Sequence, residues 1–362
     1  MGYEVSRRSA MKALGAVGGA AAIQGAASAF TMFASSEASA ATTVQSLRST
    51  AKSWLWAAED YAKGGGFFDK SGLDVNITST GRGVNTSALL SGNADILLGA
   101  PDQTIKVQVQ NQPVKLIAGL VNKYASNIVV KKDILDKLGV TEASSFEDKA
   151  KALKGLKMGT TGPGGGPDNL LRYMMTQVGL EPDKEAELTP LQGGGTGILA
   201  AMERGVIDGF CLSSPTSDIA IAKFGGAYLF NMAKNPPPEL NDYLYISVAV
   251  SDEAIKTKRE TLVNYVKGLA MAQQAINSDP AAFKTWSQEW FKGLDPAVFE
   301  KAFDSNSKIY MPDPTPREHH FNKNIEFVNL SFKTLNKDPM PSSFSFLDAY
   351  DPSIAEEAMK QL

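Results

Sequence analysis

The chain has 362 residues, 43% of them hydrophobic, with 36 basic and 39 acidic side chains for a formal charge of −3. That is enough apolar material for a sizeable core in two ordinary domains or one large one, and the basic excess that grips nucleic acid is missing. A single cysteine, Cys211, excludes an intramolecular disulfide, and the two histidines, His319 and His320, are adjacent, which excludes a His-x-x-x-His metal site.

The first segment is a targeting signal rather than part of the fold. Ser6-Arg7-Arg8-Ser9-Ala10-Met11-Lys12 opens an uncharged stretch, Ala13 to Ser36, rich in Ala and Gly, which closes on Ala38-Ser39-Ala40. This reads as a twin-arginine export signal cleaved after Ala40, with the mature protein in the periplasm. Ala and Gly supply too little insertion energy for a membrane anchor. Without residues 1–40 the chain keeps 33 basic and 37 acidic side chains, a formal charge of −4.

From Val44 onward short apolar runs alternate with helical patterns. Val44–Arg48 reads as a strand, and Ser53–Lys63 as a helix with Trp54, Ala57, Ala58 and Tyr61 at helical spacing. Leu73–Thr78 is a strand, Asn85–Gly92 a short helix, Ala94–Leu98 a strand, Gln103–Gln110 a helix and Val114–Leu120 a strand. The rhythm then restarts. Asn127–Lys131, Lys157–Thr160, Leu188–Leu191 and Val206–Leu212 are strands; Ser145–Ala152, Pro167–Val178, Thr196–Arg204 and Ser217–Phe224 are helices. Pro236-Pro237-Pro238 makes a stiff break before the strand Tyr245–Val250. Glu260 to Leu362 is largely helical, with Trp286, Trp290, Phe291, Phe299, Phe303 and Phe327 as packing residues. Strand–helix alternation predicts an α/β fold with parallel-type sheets. Two such modules predict two lobes with a cleft between them.

Ligands of such sheets sit outside the carboxyl ends of the strands. The loops expected there are rich in Gly, Ser and Thr: residues 50–53, 79–83, 99–102, 160–166, 192–196 and 213–216. Each precedes a predicted helix, whose N-terminal N–H groups favour an anion. The Gly-rich run 159–166 has neither the P-loop ending nor Rossmann spacing. Cys211 reads as an inert buried thiol. No nucleophile elbow accompanies the histidines, and no carboxylate cluster stands near them in sequence.

The order of these pieces resembles the periplasmic substrate-binding proteins of ABC importers in the nitrate, sulfonate, taurine and bicarbonate group. The carrying segments are 62–75, 88–96, 111–118, 127–133, 153–159 and 199–209. The resemblance implies a two-lobed, type II-like periplasmic-binding-protein fold with a helical C-terminal tail: residues 41–122 and 236–362 in the first lobe, 123–235 in the second. It implies no catalysis, no cofactor, no metal and a monomer that delivers its ligand to a membrane permease. Its contact positions fall on the loop Thr50 to Trp56 (Lys52, Trp54 and Trp56 among them), then on Arg82, Ala100, Asp102, Asn127, Thr161, Gly162 and Gly164, and on Ser213 and Ser214. Many relatives carry a bulky Trp pair where this chain has Ser213-Ser214, so a roomier pocket and a small organic anion, sulfonate- or carboxylate-like, are expected. Arg82 is either an anion clamp or a solvated loop residue. Asp102 either meets a ligand amine or caps the helix beginning at Gln103. Trp54 either stacks on ligand or packs into the core. The alternative is a secreted or pyrimidine-synthase-like enzyme on the same fold; the latter needs an active-site histidine and a cysteine-rich iron motif.

Overall fold

Ten strands sort into two five-stranded sheets in a computed structural model that describes residues 41–50, 52–80 and 86–362. They are β1 (Thr42–Arg48), β2 (Leu73–Ser79), β3 (Ile96–Gly99), β4 (Val114–Lys123), β5 (Ser126–Lys131), β6 (Lys157–Thr160), β7 (Glu187–Pro190), β8 (Gly209–Ser213), β9 (Gly226–Phe230) and β10 (Asn241–Ser251). The first sheet has the order β2-β1-β3-β10-β4 and the second β7-β6-β8-β5-β9.

The sheets are mixed, where the sequence rhythm predicts parallel ones. In the first, β10 runs antiparallel to both β3 and β4; in the second, β5 runs antiparallel to both β8 and β9. These are the strands by which the chain changes sheet. β5 follows β4 after only Tyr124 and Ala125, and β10 follows β9 after residues 231–240. A chain arriving from the other lobe enters where the parallel strands finish, so it must run against them. Strand–helix alternation carries no signal for this.

The cores follow the strand alternation. Val44, Ser46 and Arg48 of β1 and Leu73 and Val75 of β2 turn inward, while Thr43, Gln45, Asp74 and Asn76 stay exposed. The 20-residue helix Arg259–Ser278 packs on the helices Ala57–Gly64, Phe67–Lys70 and Ser353–Lys360. Its Gly268 is needed for the close approach: a Cβ there would stand 2.6 Å from Cδ1 of Phe68. The tail also runs along β4, with Met311 N–H donating to the Leu120 carbonyl (3.0 Å) and Gly119 N–H to that of Pro314 (2.8 Å). Among the described residues no helix is long and apolar enough to cross a membrane.

Candidate functional site

The loops that follow β1, β3, β6 and β8 meet between the two sheets. Ser53, after β1, accepts from Leu55 N–H at the start of its helix (3.3 Å). The same hydroxyl donates across the lobes to the Ser214 carbonyl (3.1 Å) and stands 3.5 Å from the Ser213 hydroxyl. Further along, Lys106 of the helix Pro101–Gln108 donates to the Gly164 carbonyl (2.9 Å), and Tyr124 donates to that of Gly166 (2.6 Å). The Tyr245 and Ser126 hydroxyls are 2.6 Å apart. The lobes therefore touch through the loops at the carboxyl ends of their strands, the place where α/β sheets hold ligands.

In the second lobe the loop 161–166 is locally built. Gly162 and Gly164 adopt φ of +137° and +70°, which only glycine takes without strain. Gly164 N–H donates to buried Asp168 (2.9 Å), and the same carboxylate oxygen accepts from Arg172 Nε (2.8 Å). The Gly164 carbonyl collects Lys106, Ser331 (3.1 Å) and Asn169 (3.3 Å). Thr161 is exposed. Asn127 is fully buried and satisfied inside its lobe, donating to Ser217 (3.0 Å) and accepting from Ala233 N–H (3.2 Å). Ser214 is also fully buried. Its hydroxyl donates to Asp218, whose other oxygen accepts from Tyr228 (2.8 Å). Burial pushes the Asp218 carboxyl up, against the hydrogen bonds from Ser214 and Tyr228 that pull it down. The Ser213-Ser214 pair thus lies against Ser53, not around the open space that its small size suggests.

The first-lobe residues are held from beneath. Trp54 is 0% exposed, with ring centroids 4.7 Å from Phe291 and 5.9 Å from Phe299 and Phe303, and its carbonyl accepts from Tyr310 (2.6 Å). Of the two readings of Trp54, this geometry is the core one. Trp56 is buried and donates to Thr50 (2.8 Å). Lys52 is exposed; its ammonium donates to the Trp290 carbonyl (2.5 Å) and lies 6.0 Å from the ring centroid of that residue. Ala100 is the N-cap of the helix Pro101–Gln108, so that helix starts before Gln103 and Asp102 stands in its first turn. Asp102 is buried and paired with Lys106 (3.2 Å) at i,i+4. Arg82 lies outside the described residues.

The structure also holds two charged clusters. Arg48, at the end of β1, pairs with Glu59 (3.1 Å) and Asp60 (2.9 Å), while Tyr265 donates to Glu59 (2.7 Å). Burial pushes the Asp60 carboxyl up to about 6, outweighing the pull of Arg48. The second cluster forms in space rather than in sequence. β10 brings Asp242 to His319 (2.6 Å) and His320 (3.3 Å), and Asn122 donates to the same carboxylate (2.9 Å). Burial pushes the Asp242 carboxyl up, but the bonds from Asn122 and His319 outweigh it and the net shift is down. His320 Nδ1 accepts from Arg317 N–H (3.1 Å). Its neutral ring therefore carries the proton on Nε2, facing Asp242, which is the wrong tautomer for ligating a metal there.

Ser53 lies in a loop that the sequence marked, but Lys106, Tyr245 and Ser331 were not foreseen as cross-lobe contacts, nor Tyr124 as a tie to the Gly166 carbonyl. The i,i+4 spacing of Asp102 and Lys106 was a usable signal for one of them; Ser331, deep in the tail, had none.

The chain matches the NMT1-like family over residues 60–288. It is 25% identical over 265 residues to YtlA of Bacillus subtilis strain 168, described as a binding protein, covering 71% of this chain and 74% of that one. Among solved structures, the periplasmic nitrate-binding protein NrtA of Synechocystis PCC 6803 superposes with a TM-score of 0.67 at 17% identity, covering 89% of each chain. The periplasmic aliphatic sulphonate-binding protein SsuA of Escherichia coli gives 0.63 at 15% identity, covering 83% of this chain and 94% of its own. The fold is that of the periplasmic binding proteins, α/β and two-lobed with a helical C-terminal region.

Proposed function

Because the chain belongs to the NMT1-like family, we propose that it is the solute-capturing component of an ABC importer, exported to the periplasm and closing its lobes over a small organic anion. The observation that carries this reading is the meeting of the loops after β1 and β8 through Ser53, Ser213 and Ser214. A seam of hydroxyls and carbonyls can open and re-form at little cost, because water satisfies the same groups when the lobes part.

In this reading the anion lies beside the seam. The loop Thr161–Gly164 offers it the exposed Thr161 hydroxyl, just ahead of the helix Gly166–Thr176. Arg82, outside the described residues, is assigned to it as a clamp on sequence grounds alone. Ser213 is assigned the wall opposite Ser53, and Lys106 the tie that holds the Gly164 loop in place when the lobes close. Trp54, Trp56, Asp102 and Asn127 support these loops. The ligand class, a small sulfonate- or carboxylate-like organic anion, is taken from the sequence resemblance alone, because Ser213 and Ser214 pack against Ser53 and leave no extra space there.

Native mass spectrometry of the mature protein, followed by thermal melting with aliphatic sulfonates, carboxylates and nitrate, tests the proposal. A co-purifying organic anion, or a midpoint that rises with the concentration of one class, supports it. A protein that carries nothing and whose midpoint no member of the panel moves would sink it.

A further inference from the structure

The end of β4 carries a charge arrangement that folding alone does not favour. The tail segment beside β4 runs antiparallel to it, with Asn122 N–H donating to the Ile309 carbonyl (3.1 Å) and Val121 bridged to Tyr310. Lys308 stands in the turn just before that segment, near enough for its charge to act on Lys123. Two ammonium groups held near each other repel, and each disfavours the charged form of the other. Among the described residues neither ammonium has an ion pair or a hydrogen bond. Burial, and then Lys308, pushes the Lys123 ammonium down from its ordinary range.

The two lysines line a crevice of about 410 Å³, shared with Lys234, Lys284 and Phe303. Lys234 is paired with Asp304 (2.5 Å) and Lys284 with Glu300 (2.6 Å). Four ammonium groups therefore face two carboxylates, and the surplus sits on Lys123 and Lys308. The volume is in the range of small-molecule pockets and far more than one ordered water needs. Both passages between the lobes reach this crevice. Lys123 ends the strand before the first, and Ala233 and Lys234 lie in the second.

We propose that this crevice is a binding site for a small multivalent oxyanion, separate from the seam between the lobes. The anion neutralises the pair Lys123 and Lys308 and, through Lys234, ties the two passages to the helix Pro296–Asn306. The proposal does not depend on what the interlobe cleft binds.

Pyrophosphate is the probe, titrated against the mature protein at constant ionic strength and followed by calorimetry and melting. The wild type should bind it and melt higher with increasing concentration. The double variant Lys123→Gln, Lys308→Gln should bind at least tenfold more weakly, yet melt higher than wild type without pyrophosphate, because a repelling pair is gone. Lys308→Gln alone, an exposed position, gives the same test should the double variant fold poorly. Ser213→Trp, which fills the seam, should leave pyrophosphate binding in place. The proposal is overturned if the wild type does not bind, if the lysine variants bind as tightly as wild type, or if binding disappears in Ser213→Trp while the lysine variants retain it.

Discussion

The two lobes share one strand order but support their loops differently. In the second lobe, support is mainly local: Asp168 and Arg172 hold the Gly164 loop from the helix that follows it, with Lys106 and Ser331 adding distant bonds to the Gly164 carbonyl, and Asp218 holds Ser214 from four residues away. In the first lobe, support is remote. Trp54 rests on Phe291, Phe299 and Phe303, and its carbonyl on Tyr310, all of them in the C-terminal tail. The same architecture can thus be built by short-range hydrogen bonds or by long-range apolar packing. The two should fail differently when cut.

The sharpest cut is in the first lobe. Trp54→Ala removes the centre of an aromatic cluster and should cost about 3–5 kcal/mol of stability, the range for deleting a buried ring. Denaturant unfolding measures this; a loss under about 1 kcal/mol would mean that the tail does not carry this lobe. Next comes Asp168→Ala in the second lobe. It strands a buried guanidinium that retains only Asp183, itself largely exposed, and it frees Gly164 N–H. About 3 kcal/mol should be lost, at the low end for a broken buried pair, together with ligand affinity. A variant that keeps both stability and affinity would contradict the local-support account.

Asp60 sharpens the comparison through pH. Its folded value is raised from 3.8 to about 6. Between those values the unfolded chain has released the proton that the folded one still holds, so this group's contribution to stability falls as pH rises, and the loss is complete above pH 6. Asp60→Asn should therefore stabilise the protein near pH 7.5 by about 1–3 kcal/mol and flatten the stability curve between pH 4 and 6. An unchanged curve in that window would show that Arg48 already compensates the buried charge. The smallest effect on stability belongs to Thr161→Ala, expected within about 0.5 kcal/mol for an exposed loop position. Its effect should appear in ligand affinity instead, and a variant that binds as wild type would remove Thr161 from the site.

The same contrast decides what could be read in the sequence. Strands such as β1, β2, β5 and β8 are short apolar or alternating runs bounded by turn residues, and they read directly. β9 did not, because Gly226-Ala227-Tyr228-Leu229-Phe230 neither alternates nor starts cleanly, and its register with β5 shifts. The antiparallel sense of β5 and β10 was invisible, since it depends on which lobe the chain comes from. Helical spacing marked Trp54 as belonging to a buried face without saying what covers it; the covering rings lie across most of the chain. Asp242 was likewise beyond reach, joined to His319 and His320 only once β10 and the tail helix meet. The glycine-rich loop at 161–166 was legible from its composition and its place before a helix, whereas the distant bonds from Lys106 and Ser331 that also brace it were not.

The central claim is that the lobes close over an anion at the seam of Ser53, Ser213 and Ser214. Small-angle scattering of the mature protein, with and without a ligand picked out by the melting panel, tests it most directly. The account predicts a smaller radius of gyration with ligand in the wild type, and no such change in Ser213→Trp at the same concentration. Ligand binding that leaves the radius unchanged in the wild type, or compaction that survives in Ser213→Trp, would contradict it.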